Sequence, residues 1–222
     1  VTVARLGHST ALLTGGVLGG ELIKIEKIEG VPGHAEGVPG YDLCPITQEQ
    51  AEEYGVEFAD LPATSITAQG GTWLVETDAD SYLARSLVIA SGTSMAKLDI
   101  PGFDRFQGKG VSECASCDAP LLRNKVAIVA GGGDSAMQEA LVLADHLDKV
   151  IMVVRGDGLS GQAAYRNSIA ANPKIEVRPH TEPTEIIGDD SVSHVRVKNT
   201  VSGAEEEIET DAIFSFIGLV PN

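Results

Sequence analysis

The stretch Val126-Ala-Ile-Val-Ala-Gly-Gly-Gly-Asp-Ser-Ala136 decides the fold of this chain. Its apolar run, Val126–Ala130, predicts a strand that is buried on both faces, as in the centre of a parallel sheet. The spacing Gly131-x-Gly133-x-x-Ala136 then predicts a tight turn, a close approach of the backbone to a pyrophosphate, and close packing of helix on strand. We interpret the stretch as a dinucleotide-binding turn. The alternative is a tight turn in a nucleotide-free α/β domain.

The segments around this turn predict the rest of the unit. Residues Asp134–Leu147 place apolar side chains near the helical period, and Val150–Val154 is a second apolar run. Strand-like and helix-like segments alternate along the chain, which predicts an α/β protein. The further strand candidates are Thr10–Thr14, Thr72–Glu76, Leu87–Ala90, Ile175–Arg178, His194–Lys198 and Ala212–Ile217.

Glycine and proline divide the chain. The segment Gly30–Gly40 contains too many helix and strand breakers for regular structure, and Ser202-Gly203 predicts the turn of a small hairpin within Ser193–Phe216. Ile100–Phe106 follows a strand candidate and has the composition of a linker. We therefore predict two lobes, residues 1–103 and residues 104–222.

Composition limits the classes of function. The 222 residues carry 16 Lys plus Arg against 32 Asp plus Glu, a net charge of −16, which repels nucleic acids and anionic membrane surfaces. No apolar run approaches the ~20 residues of a transmembrane helix, and the first residues show no signal-peptide pattern. Three cysteines are too few for a disulfide scaffold, so we expect a reducing compartment, the cytoplasm.

Two of those cysteines predict redox chemistry. Cys114 and Cys117 are three residues apart, close enough to form a disulfide, and local charge can make one thiol reactive near neutral pH. Asp118 could exchange a proton with the leaving thiolate. A zinc site would need a second pair of ligands, which Cys44 and the scattered histidines do not supply. A purely structural pair of buried cysteines remains an alternative.

The end of the second strand bears on the choice of cofactor. An acidic residue there binds the ribose of NAD, and an arginine favours the 2′-phosphate of NADP. Here the strand is followed by Arg155, Gly156 and Asp157. This order leans towards NADPH, unless Arg155 instead pairs with Asp157 or simply lies in solvent.

Taken in order, these motifs resemble the low-molecular-weight thioredoxin reductases. Cys114–Asp118 is similar to the family's Cys-Ala-Thr-Cys-Asp, and Gly131–Ala136 to its Gly-Gly-Gly-Asn-Thr-Ala. Ile217–Asn222 resembles its Ile-Gly-x-x-Pro-Asn. In the first lobe, Gly19–Leu22, Ile28–Gly33 and Ile89–Thr93 resemble segments on the FAD side of the family.

The resemblance implies two Rossmann-like lobes, one for FAD and one for NADPH or NADH. It implies a disulfide reductase that acts on a thioredoxin-like protein or a small disulfide, usually as a homodimer in the cytoplasm, without a metal. Cys117 would face the flavin, Cys114 would attack the partner's disulfide, and Asp118 would move the proton. The residues implied for the nicotinamide nucleotide are Gly131, Gly132, Gly133, Asp134, Ser135, Ala136, Arg155, Ile217 and Gly218. Those implied for FAD are Gly19, Gly20, Glu21, Leu22, Ala90, Ser91 and Gly92.

The chain also departs from the family pattern. It begins after the place of the family's FAD glycine motif and stops before its final flavin-binding segment, so we expect an incomplete FAD lobe. Of the three arginines usual around the 2′-phosphate, only Arg155 is present. The alternative function is therefore a nicotinamide-binding or redox-sensing module that lacks flavin and does not turn over.

Overall fold

The computed structural model describes every residue, Val1–Asn222, and divides into two compact units, Val1–Gly92 and Thr93–Asn222. The boundary predicted from the sequence lies further along, between residues 103 and 104. The segment Ile100–Phe106, which the sequence suggests is a linker, contributes Phe103 and Phe106 to the apolar core of the second unit. The structure thus assigns this segment to the second unit.

The first unit is built from short elements. Its helices are α1 (Thr2–Arg5) and α2 (Gly40–Glu53), with a 3-10 turn at Gly20–Lys24. Its strands are β1 (Ala11–Leu13), β2 (Glu57–Ala59), β3 (Ala63–Gln69), β4 (Thr72–Thr77) and β5 (Ser81–Ala84). Strands β1 and β2 pair in parallel, and β3, β4 and β5 form an antiparallel sheet. Few apolar side chains are buried here: Val38, Ala51, Val56 and Val75.

Two of the three strands predicted in this unit are confirmed, at β1 and β4. The third prediction, Leu87–Ala90, is wrong, because this run is irregular and has no partner strand. Val88 is 81% exposed and Ile89 is 74% exposed. An apolar run becomes a strand only where a neighbouring strand accepts its hydrogen bonds, and none does so here.

The second unit contains the larger core. Its helices are α3 (Ala115–Asp118), α4 (Asp134–His146) and α5 (Ala163–Ala171), with a 3-10 turn at Ala119–Leu122. Its strands are β6 (Thr93–Met95), β7 (Val111–Ser112), β8 (Val126–Ala130), β9 (Lys149–Val153), β10 (Ile175–Arg178), β11 (Thr181–Gly188), β12 (Val192–Asn199), β13 (Glu205–Glu209), β14 (Ala212–Ser215) and β15 (Leu219–Pro221).

A parallel sheet in the order β10-β9-β8-β14-β7 forms the centre of this unit. Successive residues of β8 enter different cores: Ala127 and Val129 pack with α4, whereas Ile128 and Ala130 pack on the opposite face. That opposite core includes side chains of the antiparallel sheet β11-β12-β13. The central strand is therefore buried on both faces, as predicted.

The remaining strand predictions in the second unit are confirmed at β8, β9, β10, β12 and β14. The predicted hairpin is formed by β12 and β13, and its turn contains Gly203 with φ 74°. Strands β6 and β15 pair antiparallel beside the main sheet. None of the helices is both long and apolar enough to cross a membrane.

Candidate active site

A disulfide joins Cys114 to Cys117 at the amino end of α3, with a Cα–Cα distance of 5.4 Å. Strand β7 ends at Ser112, whose hydroxyl accepts a hydrogen bond from the Cys114 amide at 3.1 Å. The Cys114 sulfur in turn accepts one from the Cys117 amide at 3.3 Å. Local backbone contacts therefore fix the turn that carries both sulfurs, and the structure contains the pair in its oxidised form.

The disulfide is accessible from outside the unit. Cys117 is exposed, and Cys114 and Asp118 are half-buried. The amide of Asp118 donates to the Cys114 carbonyl at 3.3 Å, which closes the helical turn. The Asp118 side chain has no hydrogen-bond or ion-pair partner within the chain. The Asp118 carboxylate is therefore unpaired in the helical turn that carries the disulfide.

Gly131 is required by the close contact between β8 and β14. Its φ is +138°, and a Cβ atom there would lie 2.2 Å from the carbonyl oxygen of Phe216. The Gly131 amide donates to the Val153 carbonyl at 3.0 Å, so the turn is also tied to β9. A side chain at this position would force the strand and the turn apart.

Gly133 has a different environment, because a Cβ atom there would meet nothing within 4 Å. It precedes α4 and borders a cavity of about 290 Å³. An open glycine at a helix amino terminus suits an anion, since the free amides and the helix dipole both favour negative charge. The cavity is lined by Met95, Gly133, Asp134, Ser135, Ala136, Phe216, Gly218 and Leu219.

The open helix terminus at this cavity fits a phosphate group of a dinucleotide. The cavity also brings together several of the residues that were predicted to bind the nicotinamide nucleotide. Gly133, Asp134, Ser135, Ala136 and Gly218 all border one cavity. Gly131 and Gly132 do not border the cavity. They pack against the neighbouring strand ends, and a Cβ on Gly132 would lie 2.7 Å from Val154. Ile217 is exposed and does not border the cavity.

Two residues of the loop after β9 form hydrogen bonds with the glycine turn, and the sequence motifs do not indicate these contacts. The Ser160 amide donates to the Gly132 carbonyl at 2.9 Å. The Asp134 carboxylate accepts from the Gln162 amide at 2.6 Å and from its side-chain nitrogen at 3.2 Å. These contacts lock the loop after β9 onto the glycine turn, so the two segments expected to hold one dinucleotide are held together.

Arg155 lies at the end of β9 and is exposed, without a hydrogen-bond or ion-pair partner for its guanidinium. It does not pair with Asp157, whose carboxylate lies 3.7 Å from Nδ1 of His180. Gly156 and Gly158 flank that carboxylate, and a Cβ on either would meet nothing within 4 Å. Arg155 is therefore an unpaired guanidinium just beyond β9, whereas Arg178 at the end of the neighbouring β10 is paired with Glu176 and Glu206.

The residues implied for FAD lie in exposed segments of the first unit. Gly19 precedes the 3-10 turn that contains Gly20, Glu21 and Leu22. Its φ is +95°, and a Cβ atom there would lie 2.8 Å from Sγ of Cys44. Cys44, a free half-buried thiol, thus packs against the glycine. Ala90, Ser91 and Gly92 are exposed in irregular backbone at the end of the unit.

Three lining residues of the cavity were not among the predicted site residues: Met95, Phe216 and Leu219. Met95 lies on β6 and Leu219 on β15, the pair of strands next to the main sheet. Leu219 lies inside the quoted motif Ile217–Asn222, and Phe216 directly precedes that motif, so the motif could have indicated both. Met95 carries no comparable signal, because its place depends on pairing with a strand more than a hundred residues away.

Comparison with known proteins identifies relatives along the whole chain. The family model described as pyridine nucleotide-disulphide oxidoreductase matches residues 1–222. The thioredoxin reductase of Treponema pallidum (strain Nichols) is 36% identical over 217 residues, which are 98% of this chain and 71% of that protein. The thioredoxin reductase of Bacillus subtilis (strain 168) is 32% identical over 222 residues, 100% of this chain and 70% of that protein.

Solved structures are similar over the same range. The crystal structure of Lactococcus lactis thioredoxin reductase in its FR conformation superposes with a TM-score of 0.92 at 35% identity, covering 99% of this chain and 73% of that chain. The T. acidophilum thioredoxin reductase gives a TM-score of 0.89 at 29% identity, covering 99% of this chain and 72% of that chain.

Proposed function

The chain belongs to the pyridine nucleotide-disulphide oxidoreductase family, among the low-molecular-weight thioredoxin reductases, and from this we propose that it reduces the disulfide of a thioredoxin-like protein. Members of this family are FAD-dependent disulfide reductases that use NADPH. We propose that electrons pass from reduced nicotinamide through FAD to the Cys114–Cys117 disulfide and then to the acceptor. The observation that carries the proposal is the accessible disulfide at the amino end of α3, in the same unit as the dinucleotide cavity.

We assign the roles of the chain's own residues as follows. Bound FAD and nicotinamide would supply the two-electron chemistry, and the protein would bind, orient and protonate. The open face at Gly133 and the amino terminus of α4 would hold the pyrophosphate, with Arg155 near the ribose. In the first unit, the segments Gly19–Leu22 and Ala90–Gly92 are proposed to contact FAD.

The thiol steps then balance within the chain. Two electrons and two protons convert the disulfide into the thiols of Cys114 and Cys117. We propose that the Cys114 thiolate attacks the acceptor disulfide, forms a mixed disulfide and releases one acceptor thiol. Cys117 then attacks the Cys114 sulfur, which re-forms the internal disulfide and releases the second acceptor thiol. Asp118 would take and return the proton, since its carboxylate is beside the turn and unpaired.

The direct test is thiol titration under anaerobic conditions. Protein incubated with FAD and freed of excess flavin should bind it and turn yellow. NADPH should then produce two additional titratable thiols per chain, beyond the thiol of Cys44. Binding of flavin without new thiols would contradict the electron route proposed here. A protein that stays colourless after incubation with FAD would instead favour the nicotinamide-binding module without turnover.

Preference between NADPH and NADH is expected to be weak, at most about tenfold. One charge-assisted contact from Arg155 to the 2′-phosphate stabilises bound NADPH by about 1.5–3 kcal/mol. The nearby Asp157 carboxylate repels the same phosphate and cancels part of this stabilisation. We therefore expect Arg155→Ala to bring the dissociation constants of NADPH and NADH close to parity. Titration of both nucleotides into the wild-type protein and the variant measures this.

Gly156→Ala is a matched control for that experiment, because a Cβ at Gly156 meets nothing within 4 Å and leaves the charge unchanged. It should keep the wild-type ratio. A wild-type preference of several hundredfold for NADPH would contradict the prediction and would require a second phosphate-binding cation.

A further inference from the structure

His180 lies against the loop that follows β9, at which the ribose of a dinucleotide is expected. Its amide donates a hydrogen bond to the carbonyl of Gly156 at 2.9 Å. Its Nδ1 atom lies 3.7 Å from the carboxylate of Asp157, and the His180 side chain is 37% exposed. No sequence motif indicates this residue, because a helix and a strand, α5 and β10, separate it from Arg155.

The backbone of His180 is held in an unusual conformation by its neighbours. Its φ is 52°, in the left-handed region, where few residues other than glycine occur and where asparagine, aspartate and histidine are over-represented. The Thr200 amide donates to the His180 carbonyl at 2.7 Å, and the Thr200 hydroxyl donates to the Arg155 carbonyl at 3.3 Å. Three segments of the chain therefore meet at the end of β9, and they fix the backbone that carries the imidazole.

Arg155, Asp157 and His180 together set the charge that a phosphate would meet at this loop. Asp157 is fully exposed and its carboxylate repels a phosphate, whereas the exposed guanidinium of Arg155 attracts one. Histidine side chains gain a proton as the pH falls from about 8 to about 5. A protonated His180 would pair with the Asp157 carboxylate and offset its charge. The summed charge of the three side chains is zero while the imidazole is neutral, and it becomes positive when the imidazole is protonated.

The other charged groups on the elements packed against His180 lie beside opposite charges, and none of them is within ion-pair distance of the imidazole. They are Arg178 on β10, which is paired with Glu176 and Glu206, and Glu182 on β11, which stands opposite Lys198 of β12 in register. The turn between β12 and β13, residues 200–204, has no ionisable side chain. The charge of the imidazole is therefore coupled mainly to Asp157 and to whatever binds at this loop.

We propose that His180 is a specificity-determining residue for the nicotinamide nucleotide, and that its protonated imidazole is the second positive charge, with Arg155, at the 2′-phosphate. The inference rests on the proposed function only in taking this loop as the place of the adenosine ribose. Because NADP differs from NAD only by the 2′-phosphate, the charge of His180 acts mainly on NADP. Preference for NADP therefore increases as the pH falls below neutral. The tenfold limit given above for Arg155 alone holds where the imidazole is neutral.

His180→Asn is the informative variant, since asparagine tolerates the left-handed conformation and cannot take up a proton. Isothermal titration calorimetry gives the dissociation constants of NADP⁺ and NAD⁺ at about pH 6 and about pH 8.5, at constant ionic strength. The oxidised nucleotides are used because they withstand the lower pH better than NADPH does. The quantity compared is the preference, the Kd of NAD⁺ divided by the Kd of NADP⁺.

The comparison between the two proteins isolates the imidazole from the titration of the nucleotide. The 2′-phosphate itself gains a proton near about pH 6, which weakens binding of NADP⁺ by both proteins. We expect nearly equal preferences at about pH 8.5. At about pH 6 the preference should be about three- to tenfold higher in the wild-type protein than in His180→Asn, from one opposite charge at a partly exposed site. The affinity for NAD⁺ should be the same in both proteins.

His194→Asn is the matched control. This histidine lies near the start of β12, whereas the other end of that strand adjoins His180, and its Nδ1 contacts the hydroxyl of Ser193. It should keep the wild-type preference at both pH values.

The same change of preference with pH in the wild-type and His180→Asn proteins would overturn the proposal. A preference that differs between them by one factor at both pH values would also overturn it, because a structural effect of the side chain would then explain the result. Circular dichroism and a thermal melt check folding, and no measurement needs flavin or turnover. Failure to bind either nucleotide would contradict the nucleotide site and the inference with it, whereas binding without the pH effect contradicts the inference alone.

Discussion

Replacing Cys117 with serine is expected to abolish reduction of any disulfide acceptor, a loss of about a thousandfold or more. Cys114 and Cys117 form the sole disulfide of the chain, and the remaining thiol, Cys44, is packed against Gly19 in the first unit. Without Cys117 the turn can neither be reduced as a disulfide nor resolve a mixed disulfide. The measurement is NADPH-dependent reduction of a protein disulfide and of a small disulfide by FAD-loaded protein.

Two further readouts accompany this variant. Binding of the nicotinamide nucleotide should be unchanged, because Cys117 does not border the cavity around Gly133. Cys44→Ser serves as the matched control and should retain full turnover. Undiminished disulfide reduction by Cys117→Ser would disprove the redox role of this pair.

Replacing Gly133 with valine should weaken binding of NADH and NADPH alike by about 3 kcal/mol or more, roughly two orders of magnitude in the dissociation constant. The glycine leaves open the space into which a pyrophosphate must come, and a branched side chain would fill it. The fold should persist, since a Cβ at Gly133 meets nothing within 4 Å. Isothermal titration calorimetry gives the affinity, and a thermal melt checks stability.

Gly16→Val is a suitable control for this substitution. A Cβ at Gly16 also meets nothing within 4 Å, its φ is not in the left-handed region, and the residue lies in the first unit. It should bind nucleotide as the wild-type protein does. Equal affinity in the wild-type and Gly133→Val proteins would show that this turn does not hold phosphate.

The sequence predicted the second unit well where the pattern is local. Apolar runs such as Val126–Ala130 lie in the centre of a sheet with a core on each face, so their composition leaves little choice of structure. The glycine turn and α4 were also predicted from local patterns, the turn from the spacing of its glycines and the helix from the period of its apolar residues. The closure of the Cys114–Cys117 pair also follows from short spacing, since residues three apart on one helical turn lie close together.

Elements without such patterns were missed. Helix α2 contains Pro45 and comes directly after a loop rich in glycine and proline, so its sequence reads as irregular. Strand β11 contains Pro183, and its pairing with β12 is interrupted by two register shifts, which disturb the simple alternation of a strand. In both cases tertiary contacts outweigh weak local preferences.

The long-range hydrogen bonds of the candidate site could not be predicted from local sequence patterns. Glu139 meets Ala115 and Gln162 meets Asp134 across separations of 24 and 28 residues. Nothing in the spacing of these residues indicates that they touch. The opposite error occurred at Leu87–Ala90, where composition is typical of a strand but no neighbouring strand is present.

The pairing of β6 with β15 has a consequence for how the second unit can be connected to other chains. These strands are the first and last elements of that unit, and Ser94 donates to Asn222 beside them at 2.5 Å. The first and last strands of the unit therefore lie side by side. A module with adjoining ends can be inserted into a surface loop of a host protein, or circularly permuted, with little loss of loop entropy. The unit whose end strands adjoin, Thr93–Asn222, contains both the Cys114–Cys117 disulfide and the cavity around Gly133.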